Sequence, residues 1–166
     1  MKKHFCLLAS FLTFIFLANA VFAQTASMLK VEGEVEKPLT LSEKDLMNLP
    51  RTEVTGKDKD GKEHLYSGVL VAEILKQAGT PLGGQLRGKN LTKYLLIKAN
   101  DGYEVVFALP ELDSEFTDQI ILLADKVDGK PLPKGEGPFR LVVPKDKKHA
   151  RWIREVVSIK VVSAKE

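Results

Sequence analysis

Cysteine occurs once in the 166 residues, at Cys6, inside an apolar run near the amino terminus. Lys2 and Lys3 precede this run, which covers residues 5–17 and leads to Val21, Phe22 and Ala23. A basic start, a short apolar stretch and small residues before a break are the marks of a secretory signal peptide. The spacing places cleavage before Gln24, with Ala18, Asn19 and Ala20 offering a second site three residues earlier. The run is too short to span a bilayer, and no cysteine stands at the cleavage point to carry a lipid. Residues 1–23 are therefore expected to be removed, leaving residues 24–166, 143 in number, as one soluble domain. Without Cys6 that domain has no disulfide, no thiolate nucleophile and no thiolate metal ligand.

Histidine is also scarce. His4 leaves with the signal, and neither His64 nor His149 has a second histidine or cysteine at metal-ligand spacing. An excess of one charge is missing too, since 25 lysines and arginines face 22 acids and removal of Lys2 and Lys3 leaves 23 against 22. Near-neutrality argues against nucleic acid as a partner. The sequence contains no HExxH, Walker loop, GxSxG or complete GxGxxG. Ser27 and Lys30 have SxxK spacing, but without the companion motifs of acylating serine enzymes. Asp58, Asp60 and Gly61 imitate part of a calcium loop but lack its spacing and final glutamate, so they read as a turn.

What is present is a series of short alternating segments. Residues 29–35 alternate apolar and polar, the period of a half-buried strand. Ser42 and Asp45 form a capping box for a helix reaching about Leu49, stopped by Pro50. Residues 52–55 and 64–66 flank Asp60-Gly61 as a hairpin, and residues 94–99 and 103–108 flank Asn100-Asp101-Gly102 as another. Val69, Leu70, Ala72, Ile74, Leu75 and Ala78 trace a helical stripe stopped at Gly79 and Pro81. Residues 79–92 lack periodicity and read as a mobile loop, while Pro110, Glu111 and Leu112 suggest a helical turn. Residues 120–124, 139–143 and 156–162 complete the strands, with a turn over 129–133. Strands outnumber helices and are mostly hairpin-linked, which predicts an α+β or mostly-β domain.

One segment concentrates chemistry. The strand-like Phe139 to Val143 carries Arg140, and the only tryptophan follows in Arg151-Trp152-Ile153-Arg154. Guanidinium groups read anions through paired hydrogen bonds, and an indole offers a platform for a flat heterocycle. His149 sits in the basic run before it, whose plain reading is a solvated loop, as the plain reading of Trp152 is a core residue.

Four motifs follow one another in order: Tyr66-Ser67-Gly68-Val69-Leu70, Asp101-Gly102-Tyr103, Gly137-Pro138-Phe139-Arg140-Leu141-Val142-Val143-Pro144, and Ala150-Arg151-Trp152-Ile153-Arg154. Together they resemble the molybdopterin-binding domain of the sulfite oxidase family, over residues 31–162. The resemblance implies a mixed, sandwich-like, mostly-β core with a few short helices. It implies that Arg140, Arg151 and Arg154 face the ligand; Trp152, His149, Tyr103 and Asp101 are the further candidates for the ligand site, and no catalytic residue is expected. The Arg-Trp-hydrophobic-Arg run is similar to that of small periplasmic relatives, some of which bind pterins as sensors. The family's enzymes hold molybdenum with a cysteine thiolate, whereas the corresponding residues 52–57 contain none and Gly56 has no side chain. The expectation is thus a periplasmic, non-catalytic receptor for a pterin or molybdopterin-like ligand, without molybdenum, that signals to a membrane-bound partner. The alternative is a small molybdopterin-dependent oxidoreductase or one subunit of such an enzyme, and a third reading is a structural domain without a ligand.

Overall fold

The computed structural model describes residues 27–164, so the expected signal peptide and its cleavage site lie outside the described residues. Ten strands make two sheets. The first takes β1 (Met28–Gly33), β2 (Leu39–Ser42), β5 (Lys93–Ala99), β6 (Glu104–Ala108) and β10 (Val156–Ser163), in the order β2-β1-β10-β5-β6. Its neighbours are antiparallel except for β1 and β10, which run parallel with Val31 opposite Ile159. The second takes β3 (Arg51–Lys57), β4 (Glu63–Leu70), β7 (Leu122–Val127), β8 (Lys130–Pro131) and β9 (Arg140–Val142), with β8 and β9 both pairing with β7.

Period-two burial makes the core. Leu29 and Val31 of β1, Leu95 and Ile97 of β5, Phe107 of β6, and Ile159 and Val161 of β10 are fully buried, whereas their neighbours in sequence face outward. Strand β9 is buried on both faces and joins the same cluster, as do Ile74 and Leu75 of helix α2 (Val71–Gln77). Both sheets therefore share one hydrophobic core, as the α+β reading requires.

Several boundaries depart from the sequence pattern. Val69 and Leu70 belong to β4, not to the helix, because the strand must run on to pair with Leu123 and Leu122 of β7. Gly68 permits that approach, since a Cβ there would lie 2.1 Å from the Leu123 carbonyl oxygen. Residues 39–42, expected as a lead into a helix, form β2, and the helix that follows is a short α1 (Glu43–Met47). Its capping box is present: Asp45 N–H donates to Ser42 Oγ at 3.3 Å and Ser42 N–H donates to Asp45 Oδ2 at 2.8 Å. The expected loop over 79–92 contains two 3-10 turns and is anchored by the buried Leu86. The helical turn near Pro110 is a 3-10 turn over Leu109–Leu112.

One crossing positions the site. Residues 153–156 run along the free side of β9, where Leu141 N–H donates to the Ile153 carbonyl and Val156 N–H donates to the Phe139 carbonyl. The chain then enters β10 of the other sheet. Trp152, Arg154 and Glu155 thus sit where the chain passes between the sheets.

Candidate functional site

The β5–β6 hairpin turns at Gly102, whose φ of 90° suits glycine, and Asp101 caps the turn by accepting from Tyr103 N–H at 2.9 Å. Tyr103 Oη reaches across to donate to the Ala150 carbonyl at 3.0 Å, which brings the hairpin against residues 149–155. Between them lies a cleft of about 350 Å³, and Asp101, Tyr103, His149, Trp152 and Arg154 all line it. Lys59 from the β3–β4 turn and Glu155 complete its charged lining. Five of the seven expected residues therefore converge, although they come from separate parts of the chain.

Arg140 and Arg151 do not join them. The Arg140 side chain is 1% exposed, and its Nη1 and Nη2 donate to the two Asp58 carboxylate oxygens at 2.8 and 3.0 Å. Nη1 also donates to Glu136 at 2.6 Å, and Tyr66 Oη donates to the same Asp58. Burial opposes ionisation of Asp58, but the bonds from Arg140 and Tyr66 outweigh it and hold its carboxyl far below the usual range. Burial and the bond to Asp58 push the Tyr66 phenol up. Arg140 Nε is buried without a partner among the described residues. Arg151 is likewise engaged: Nε and Nη2 form a bidentate pair with Asp146 at 2.8 and 2.7 Å, Nη1 reaches Glu111 at 3.0 Å, and the guanidinium lies 4.3 Å from the Phe107 ring centroid. The expectation that these two arginines face a ligand is thus corrected: each already has carboxylates that satisfy its charge. Arg154 differs, since its side chain is 41% exposed and its one ion pair is with Glu136 at 3.2 Å.

Trp152 is 4% exposed. Its Nε1 donates to the Val143 carbonyl at 3.0 Å, Tyr66 and His149 pack at 5.8 and 4.6 Å in edge geometries, and Arg140 lies 5.5 Å from its ring. The indole is a packed wall of the cleft and not an open platform. His149 Nε2 donates to the Lys57 carbonyl at 2.6 Å, which leaves Nδ1 as an acceptor for a neutral ring. His64 is elsewhere, between Asp128 and Asp60 at 2.7 and 3.1 Å, where these two carboxylates raise its pKa.

Sequence reasoning missed Asp58, Glu136, Lys59 and Glu155. Asp58 was legible only as a turn residue, because its partner Arg140 is 82 positions away. A cavity of about 420 Å³ between α2 and residues 112–121 contains none of the expected side chains, and its acids Glu73, Asp113, Glu115 and Asp118 face a single base, Lys76, which suits an anionic ligand poorly.

The sequence pattern described as oxidoreductase molybdopterin binding domain matches residues 56–166. The chain belongs to this family. A fold match agrees: the sulfane dehydrogenase SoxCD from Paracoccus pantotrophus superposes with a TM-score of 0.64 at 23% identity, over 81% of this chain and 37% of that one. The chain thus spans little more than a third of that protein's length, and the likeness is one of fold. No curated protein matches the sequence. As a member of the molybdopterin-binding family, this domain is expected to accommodate a pterin, and the cleft supplies cations for an acidic group in Lys59 and Arg154. A metal held by the chain's own thiolate fits less well. At Gly56, in the stretch that resembles the cysteine-bearing segment of the enzymes, an added Cβ would lie 2.6 Å from Trp152 Cη2. The indole occupies the space that a side chain at residue 56 would need. Among the described residues no three His, Cys, Asp or Glu side chains are grouped to hold a metal ion.

Proposed function

We propose that this domain is a periplasmic pterin-binding protein without catalytic activity, whose loaded form is read by a membrane-bound signalling partner. The carrying observation is the pairing of a charged cleft lined by His149, Trp152 and Arg154 with a Gly56 backbone that Trp152 covers. A pterin needs polar groups at its edges, and the cleft supplies them in Lys59, His149 and Arg154. A thiolate-bound metal needs a side chain at a place where none fits. Signalling would require that the partner bind the loaded and free forms with different affinity. The second reading, a molybdopterin oxidoreductase or a subunit of one, rests on family membership alone.

Molybdenum and pterin content of protein purified from periplasm without refolding separates the two. We expect pterin binding, followed by quenching of the single tryptophan and by calorimetry, with substoichiometric molybdenum. Stoichiometric molybdenum would favour the enzyme. Arg154→Ala tests the cleft itself: loss of a charge-assisted hydrogen bond of about 1.5–3 kcal/mol corresponds to a roughly ten-fold or greater loss of affinity for an acidic pterin. Wild-type affinity in that variant would remove the cleft from consideration.

A further inference from the structure

The cleft contains a group that an anion site would not need. Glu155 lines it beside Arg154 and also borders a neighbouring hollow with Asn100, Gly137 and Pro138, and its carboxylate has no hydrogen-bond or ion-pair partner among the described residues. Its backbone is in the left-handed region, with φ of 48°, one of two non-glycine residues so placed among the described residues. That conformation favours glycine, and glutamate holds it at a cost. Both backbone groups are fixed: Glu155 N–H donates to the Glu136 carbonyl at 3.0 Å, and the Glu155 carbonyl accepts from Asn100 N–H at 2.9 Å. Glycine would make the same two bonds with less strain, so the backbone gives no reason for glutamate. For a purely anionic ligand an unpaired carboxylate is a penalty. It becomes favourable if the ligand also presents an edge of hydrogen-bond donors.

We infer that Glu155 is the specificity-determining residue of the cleft, reading a 2-amino-4-oxopteridine by its donor edge. This rests on the pterin-binding reading above and deepens it. Along that edge the ring N3–H and the exocyclic 2-amino group point the same way as two adjacent donors. A carboxylate has two acceptor oxygens and no donor, so it pairs with both. A pteridine-2,4-dione of the same shape replaces the amino group by a carbonyl, which faces the carboxylate with an acceptor. Rejection follows because polar groups are then left unpaired on both sides, a stronger basis for selection than a difference in size. Arg154 and Lys59 remain available for an acidic substituent on the other ring.

The probes are pterin-6-carboxylate and 6-carboxylumazine, which share the ring system and the acid and differ at position 2. Affinities are measured by calorimetry and by Trp152 quenching on the full chain as secreted. Wild-type protein should prefer the pterin by at least ten-fold. In Glu155→Gln the amide can accept from N3–H and donate to the 2-carbonyl, so the preference should shrink to near unity or invert. Glu155→Gly should lose the preference while its melting temperature rises, because the left-handed backbone is relieved. A structural role alone would not produce that combination. Pterin binding by wild type with no discrimination, or a ratio unchanged in Glu155→Gln, would overturn the role of Glu155 and leave the pterin reading standing. Failure of wild type to bind either pteridine would overturn both.

Discussion

Replacing Gly56 by alanine tests the packing that separates this domain from a thiolate-ligated metal site. Gly56 is buried, pairs with His64 across the β3–β4 ladder, and has no positive φ that would itself demand glycine. On backbone grounds alone, Gly56→Ala should stabilise by about 0.4–1 kcal/mol through a less flexible unfolded chain. Contact with the indole reverses the sign. The new Cβ would meet Trp152 Cη2 at 2.6 Å, with Cζ3 and Cζ2 at 3.4 and 3.5 Å, and the ring is held by Tyr66, His149 and the hydrogen bond to Val143. Overpacking a held group costs about 1–3 kcal/mol. For a domain of this size that lowers the melting temperature by roughly 3–10 °C. The assay is thermal and urea unfolding followed by circular dichroism, in wild type and in a Trp152→Phe background, where the far ring atoms are gone. The penalty of Gly56→Ala should fall by half or more in that background. A variant as stable as wild type, or a penalty unchanged by Trp152→Phe, would refute the claim that the indole fills this space. Gly56→Cys carries the same first carbon and should show the same loss.

Arg140→Met leaves the Asp58 and Glu136 carboxylates without their buried cation and should cost about 3–5 kcal/mol in urea unfolding, with part recovered by adding Asp58→Asn; a loss under 1 kcal/mol would mean that the pair is not structural. Because the pKa of Asp58 is depressed in the folded state, its contribution is present above about pH 4 and fades as pH falls further. His64 runs the other way: Asp128 and then Asp60 raise its pKa, so its stabilisation is full below about pH 6.5 and is lost as pH rises through the higher folded value. His64→Gln should flatten that part of the profile, and a proton resonance titration of His64 centred below about pH 6.5 would contradict the assignment.

Local signals were well legible in the sequence. Both hairpins, the Ser42–Asp45 cap and the alternation of the core strands follow from turn chemistry and period-two patterning over a few residues, whereas the parallel pairing of β1 with β10 joins segments far apart in sequence. The misplaced ends have a physical cause of their own: Val69 and Leu70 fit a helical stripe, but pairing with β7 satisfies their backbone first. The cleft was legible as residue types, since Asp101, Tyr103, His149, Trp152 and Arg154 do converge. Which of the candidate groups remain unsatisfied was not, because that depends on partners distant in sequence.

The three arginines show why. Arg140 meets Asp58 across 82 positions and Glu136 within its own loop, and Arg151 meets Glu111 across 40 positions and Asp146 within its own. Each has carboxylates enough to neutralise it, so each has become a staple between elements. Arg154 must share Glu136, whose other oxygen already accepts from Arg140. A single carboxylate cannot fully satisfy two guanidinium groups, and the shortfall falls on the arginine that is exposed. An anion entering the cleft would supply what Glu136 cannot, so on the proposed pterin-binding reading Arg154 is the cation of this segment that meets the ligand. Glu155, next in sequence and unpaired, gives the same cleft its acceptor.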